Sequence, residues 1–487
     1  MRSLAPLLGA PLRTCSAPTR RPEPAPSPRR AADGAAPAGP HRGVRGSPER
    51  ALRPTQEGEA ACLTAPPHPA PPPSTPSSTL QDPTRQILVS HAGSLPRTDE
   101  LIAANAAREF AEDGLTLQRT ADFDRRLSAA VVDLVARQKA AGVTVPGDGE
   151  YGKAMTSAVD YGAWWSYIFQ RVSGLEVTGE DIFSQPHVES SPGDVRLTSF
   201  PNRRDWVAFR EAYSDPEAGI GTGSHATPFP ATTGPLAYTG HEAIASDVAN
   251  LRRALDEAGL ETGFMTSLSP GSAARIADRH YGDEKEHLFA WAEVMREEYR
   301  AITDAGLIVQ IDDPSIAENW DQISPEPSVE DYRAFTQLRV DALNHALRGL
   351  PRDQIRFHLC WGSWHGPHTT DIEFRHIVDL MLQIDATYYS FEAANVRHEH
   401  ECTVWDDVEL PAGKVIVPGI VSHATNVVEH PELVAQRIER FAERVGKENV
   451  IASTDCGLGG RLHPQIAEAK LRSLADGAQI ATRRLFG

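Results

Sequence analysis

The chain has 487 residues, 40% of them apolar and 23% charged, with 48 basic against 66 acidic side chains and a formal net charge of -18. No stretch approaches the ~18 consecutive apolar residues of a membrane-spanning helix, and so acidic a surface repels nucleic-acid phosphates on average. Five cysteines make no disulfide framework in a chain of this length, and a reducing compartment is expected.

Residues 1–84 differ in kind from the rest. The first 80 hold 18 of the 38 prolines, with ten arginines, no lysine and five acids. Such sequence buries too little apolar surface to offset the entropy of ordering, so this Pro/Ala/Arg-rich segment is expected to be disordered. It lacks the apolar stretch of a secretory signal. An organellar transit segment is the alternative to a stretch lying outside the working domain of a cytoplasmic protein. Cys15 and Cys62, within it, are assigned no chemistry.

From 85 to 487 short β-branched runs alternate with amphipathic segments. The runs are "QILVSHAGSLPR", "GVTVPGDGE", "GFMTSLSP", "GLIVQIDDP", "IRFHLCW", "ATYYSFEAAN", "KVIVPGIVSH" and "NVIASTDCG". Segments such as "DFDRRLSAAVVDLVARQKAAG" and "HPELVAQRIERFAERVGKE" carry the helical period between them. Near-continuous apolar strands joined by helices read as parallel strands buried on both faces. Eight of them predict an α/β fold, a (β/α)8 TIM barrel with insertions, as the single catalytic domain. The long gap after the second run predicts a protruding strand pair near "PFPATTGPLAYTG". A doubly wound open sheet is the alternative, with no GxGxxG or GxxxxGK loop in its favour.

Nearly every run ends in polar residues: His91 and Ser94, Asp148 and Glu150, Asp312 and Asp313, His358 and Cys360, Glu392, His423, Asp455 and Cys456. In a parallel barrel these strand ends share one rim, the active face. His358 and Cys360 are two apart on a strand and point the same way. With Glu392 and Cys456 they supply imidazole, carboxylate and two thiolates, a mixture suited to tetrahedral zinc. Two thiolates leave such a metal electron-rich, which suits thiol alkylation better than hydrolysis, with the carboxylate as the ligand to release. Taken singly, each cysteine reads equally as a buried apolar thiol and each histidine as a hydrogen-bonded loop residue; the quartet favours a metal. Cys402, in "EHECTVWDD", lies off any strand end and reads as a bystander.

On "HAGSLPR", "GDGE", "QIDDPSIAE", "HLCWGSWHGPH", "YYSFEAAN", "VPGIVSHATN" and "STDCGLGG", the chain resembles the C-terminal catalytic barrel of cobalamin-independent methionine synthases and their shorter single-barrel relatives, over roughly residues 85–475. The resemblance implies zinc held by His358, Cys360, Glu392 and Cys456. It implies that Ser94 binds the carboxylate of an amino-acid thiol, that Glu150 and Asp312 bind its ammonium, and that His423 acts near the transferring methyl.

Three features depart from the full-length synthases. Low-complexity residues stand where those carry a second barrel. Their Asp-Glu-Pro reads Asp312-Asp313-Pro314. The segment "WGSWHGPH", with Trp361, Trp364, His365 and His368, is closer to the short relatives, which include enzymes opening epoxides with coenzyme M. The activity expected is zinc-dependent methyl transfer to a homocysteine-like thiol from a methylated folate or corrinoid, with no nucleic-acid or membrane partner. The alternative is an epoxide–thiol transferase. A cofactor-free decarboxylase on the related barrel is more remote, because it predicts a basic mouth and no metal quartet. Zinc as a mere staple is weak, since a barrel of this size has core enough without one.

Overall fold

The computed structural model describes residues 85–157, 162–179, 187–220 and 228–487. The expectations placed on residues 1–84, with Cys15 and Cys62, lie outside these. Among the described residues ten strands follow one another: β1 (Leu88–Val89), β2 (Val172–Val177), β3 (Pro230–Tyr238), β4 (Phe264–Leu268), β5 (Ala277–Asp278), β6 (Ile308–Asp312), β7 (Ile355–Leu359), β8 (Tyr388–Phe391), β9 (Val415–Val421) and β10 (Ile451–Thr454).

Seven of them form one parallel sheet in the order β1-β10-β9-β8-β7-β6-β4. The missing stave is the second apolar run. Thr144 and Val145 donate their amides to the Val89 carbonyl, Phe264 donates to the Pro146 carbonyl, and Gly147 forms a parallel bridge with Phe264. This segment closes the ring between β1 and β4, so eight staves stand where eight runs were read. It is bridged rather than laddered because Pro146 has no amide to donate.

The barrel interior is packed by Leu88, Val145, Phe264, Ile308, Tyr388, Val417 and Ile451, one residue from each of seven staves. The eighth, β7, contributes Arg356, whose guanidinium lies 3.6 Å from the Phe264 ring centroid and donates to Ser90 Oγ at 2.8 Å. Burial pushes Arg356 down to about 9. Period-2 geometry carries the same inward face on to His358 and then to Cys360.

Amphipathic helices cover the outside. Thr120 accepts from the Phe123 amide at 3.2 Å to start the helix Ala121–Ala140, which buries Phe123, Leu127, Val131, Leu134 and Val135. The helix Pro431–Val445 buries Val434, Ala435, Ile438, Phe441 and Ala442, the spacing of a single helical stripe. It packs against the last helix, Pro464–Phe486, where a Cβ on Gly477 would lie 2.2 Å from Val434. No helix among the described residues is long and apolar enough to cross a membrane.

The anticipated strand pair is β2 with β3, antiparallel, and β5 adds to β3 in parallel. A buried polar knot fastens it to the barrel. Glu298 accepts from Tyr167, Tyr238 and Ser267, each at 2.7 Å, and from Arg171 at 3.0 Å; Arg171 also pairs with Asp247 at 2.5 Å. Removing one partner from such a buried pair typically costs about 3–5 kcal/mol, since the other charge stays behind without water.

Candidate functional site

His358, at the end of β7, stands in register with Asp312 on β6 and Ser390 on β8. Its Nδ1 is 3.1 Å from Ser390 Oγ, which sets the ring orientation. Its Nε2 is buried without a hydrogen-bond partner among the described residues. Cys360 follows β7 and Cys456 follows β10, and their sulfurs are 3.7 Å apart. The ligand atoms of His358, Cys360 and Cys456 all lie within 4.8 Å of one another.

The sulfur separation is informative. A disulfide would bring the sulfurs to about 2.05 Å. Two thiolates on a tetrahedral zinc at about 2.3 Å would stand roughly 3.8 Å apart. Two sulfurs at that spacing, with a buried imidazole beside them, are a donor set that fits a zinc ion. The hydrogen bond between the thiols splits their acidities. It holds Cys456 well below the ordinary thiol value, helped by Arg461 and His358, and it pushes Cys360 well above, together with burial.

Glu392, just beyond β8, is buried but stands outside this trio. Its Oε1 accepts from the Trp361 amide at 3.0 Å and Ser363 Oγ at 2.7 Å, and its Oε2 accepts from Asn395 Nδ2 at 2.7 Å. Ser363 Oγ is in turn 2.9 Å from Cys360 Sγ. One hydroxyl therefore separates the carboxylate from the cysteine.

A cleft opens over the trio and is also lined by Ser94, Glu150 and Asp312. Glu150 has a left-handed backbone (φ 62), uncommon for a residue with a side chain. Its Oε1 lies 2.7 Å from Thr266 Oγ1 and 3.3 Å from Lys153 Nζ. Asp312 accepts from Gln310 Nε2 at 2.7 Å, and burial pushes it up to about 7 against the pull of His358 and Lys153. Asp313 is spent elsewhere: its Oδ1 accepts from Ser315 and Ser272 and caps the turn Pro314–Ile316.

His423, after β9, does not join this cleft. It lines a neighbouring chamber with Glu392, His365 and His368. Its Nδ1 is buried without a hydrogen-bond partner among the described residues. Burial holds its pKa at about 4, so the ring is neutral near pH 7. Cys402 is half-buried against the core and takes no part in the trio.

Several residues at the site escaped the sequence reading. Lys153 and Asn395 contact predicted carboxylates, and Arg461 lines the cleft and donates to the backbone carbonyls of Ser363 and Gly457. His398 stacks on Trp361 with ring centroids 4.1 Å apart and bonds Glu401 at 2.8 Å and Asp371 at 3.3 Å. The loop after Cys360 is also held from an insertion: Trp364 donates to Tyr213 at 2.6 Å, and Arg203 lies 4.3 Å from the Trp364 ring centroid. The only signal for these was the unusual "WGSWHGPH", which marks the loop but not its partners.

Residues 233–480 match the cobalamin-independent synthase catalytic-domain family. A methionine synthase of Thermococcus kodakarensis is 24% identical over 209 residues, 43% of this chain and 54% of that protein. A 2-hydroxypropyl-CoM lyase of Xanthobacter autotrophicus is 26% identical over 238 residues, 43% of this chain and 58% of that protein. The chain thus spans about half the length of the curated relatives it matches. A solved B12-independent methionine synthase from a Shewanella species, in complex with selenomethionine, has a TM-score of 0.56 at 18% identity, covering 82% of this chain and 99% of that one. That likeness is one of fold, the parallel α/β barrel.

Proposed function

The chain belongs to the cobalamin-independent synthase family through its catalytic domain, and on that premise we propose that it methylates a homocysteine-like thiol at a zinc site built from His358, Cys360 and Cys456. The carrying observation is the convergence of these three ligand atoms at the head of a cleft that Ser94, Glu150 and Asp312 also line. Glu392 is the fourth donor on this reading, and residues 85–487 are the catalytic unit. Zinc there would supply a Lewis acid that strips the proton from a thiol near neutral pH while leaving the sulfur nucleophilic.

The protein's own residues do the rest. Ser94 holds the substrate carboxylate, while Glu150 and Asp312 hold its ammonium and aim the sulfur at the trio. The electrophilic carbon must then be placed about 3–3.5 Å from that sulfur. His423, neutral and unpartnered at Nδ1, orients the leaving nitrogen of a methylated folate from the adjoining chamber.

The experiment is zinc analysis of the purified chain, followed by turnover of homocysteine with a methylated folate. About one zinc per chain with methionine formed supports the reading; active protein without metal defeats it. A second reading, thiol addition to an epoxide, draws on the coenzyme M lyase relative and on Arg461, a cation lining the thiol cleft. Turnover of coenzyme M with an epoxide, and none with homocysteine, would select it.

A further inference from the structure

Glu150 and Asp312 line the thiol cleft, and Glu150 already holds a resident ammonium. Lys153 Nζ lies 3.3 Å from Glu150 Oε1 and donates to Thr266 Oγ1 of β4 at 2.6 Å; that hydroxyl passes its own proton to Glu150 Oε1 at 2.7 Å. The ammonium also stands 4.4 Å from the Tyr167 ring centroid. Lysine is almost never so enclosed unless paired, and this one is 5% exposed. Its charge attracts Asp312 as well.

The chain builds this pairing locally. Glu150 has its left-handed backbone, and the Lys153 amide donates to the Glu150 carbonyl at 2.9 Å, so a tight turn brings the two side chains together. Arg97 donates to the Lys153 carbonyl at 2.9 Å and also to the Glu150 carbonyl, which ties the turn down. Between them a Cβ on Gly152 would run into the Asp247 carboxylate. A side-chain-bearing residue in the left-handed region persists only where its surroundings over-determine it. Two buried carboxylates around one substrate ammonium would leave a surplus negative charge, and Lys153 cancels it.

We propose that Lys153 is a specificity-determining residue of the thiol cleft: by offsetting one of its two carboxylates, it fits the site to a zwitterionic amino-acid thiol and against a thiol that carries an ammonium alone. The inference rests on the homocysteine-like reading above and adds the charge state that the site selects. Lys153 acts through Glu150 and touches no reacting atom. Without its charge the site is more negative, so a cationic thiol gains and an anionic thiol loses. A residue that merely braced the turn would weaken every thiol alike.

The test uses the full chain loaded with zinc, as wild type, Lys153→Met, Lys153→Gln and Lys153→Arg. Calorimetric titration compares homocysteine with two thiols that each lack one of its charged groups: 3-aminopropane-1-thiol has no carboxylate, and 4-sulfanylbutanoate has no ammonium. Circular dichroism and zinc content identify the variants that fold and load, and either neutral variant suffices. In the neutral variants the aminothiol should bind about tenfold more tightly and the sulfanylbutanoate about tenfold more weakly, with homocysteine shifting least, as one unit charge close by supplies in a partly solvated cleft. Arginine, which keeps the charge, should retain the wild-type ratios. All three thiols weakened together in the neutral variants, ratios unchanged there, or an arginine variant that shifts as they do overturns the proposal. Wild type that binds none of the three thiols defeats the thiol reading itself, and this inference with it, before any variant is compared.

Discussion

Cys360 and Cys456 lie 96 residues apart in the chain, yet their sulfurs approach to 3.7 Å. They achieve this because each follows a parallel strand whose end opens on the same mouth, with β8 and β9 between them in the sheet. Cys456→Ser should take zinc from about one per chain toward zero and abolish methyl transfer, since a hydroxyl is a far poorer zinc ligand than a thiolate. Cys402→Ser should change neither. Elemental analysis of the two variants checks this, and full zinc in the Cys456 variant would remove that cysteine from the site.

Asp312 faces the cleft, whereas Asp313 is committed to its serine cap. Asp312→Asn should weaken homocysteine binding by about 2–5 kcal/mol, because a buried ammonium loses its counter-charge. Calorimetric titration of the zinc-loaded protein measures it. Binding indifferent to Asp312 would instead favour a thiol lacking the ammonium group.

His398 carries the pH prediction. Burial alone would lower its pKa, but the bonds to Asp371 and Glu401 overcome it and raise the folded value to about 10, above the ordinary 6.5. The stabilisation is therefore fully present below about pH 6.5 and is lost as pH rises through about 10. Wild type should show a fall in Tm between pH 7 and 10.5 that is smaller in His398→Asn, whose Tm is already lower at pH 7. Scanning calorimetry decides, and falls of equal size would sink the assignment.

A chain beginning at Arg85 should fold and load zinc as the full chain does. The Ile87 amide already meets Thr482 Oγ1 of the last helix at 3.0 Å, and β1 pairs with β10. Residues 1–84 carry no apolar pattern that could extend that core. Circular dichroism, Tm and zinc content provide the comparison; a collapsed fold would show that the segment contributes to it.

What was legible in the sequence follows from local periodicity. Apolar runs mark staves, and polar residues at their ends mark the rim, so Ser94, Glu150, Asp312, His358, Cys360 and Cys456 could be named as neighbours without any contact being seen. Even the second stave was readable, although Pro146 keeps it from laddering. What only the tertiary structure decided is which polar groups satisfy one another. Glu392 and Asp313 read as members of the same rim as the cysteines, but hydrogen bonds from Ser363 and Asn395 hold one outside the trio, and a serine cap consumes the other. His423 likewise ends a strand, yet it opens on the chamber next to the thiol cleft. Strand alternation fixes which face a side chain leaves from, whereas its final partner depends on loops and insertions distant in sequence, such as Arg203 and Tyr213 against Trp364. No periodicity encodes those contacts, because they form only once the barrel has brought its rim together.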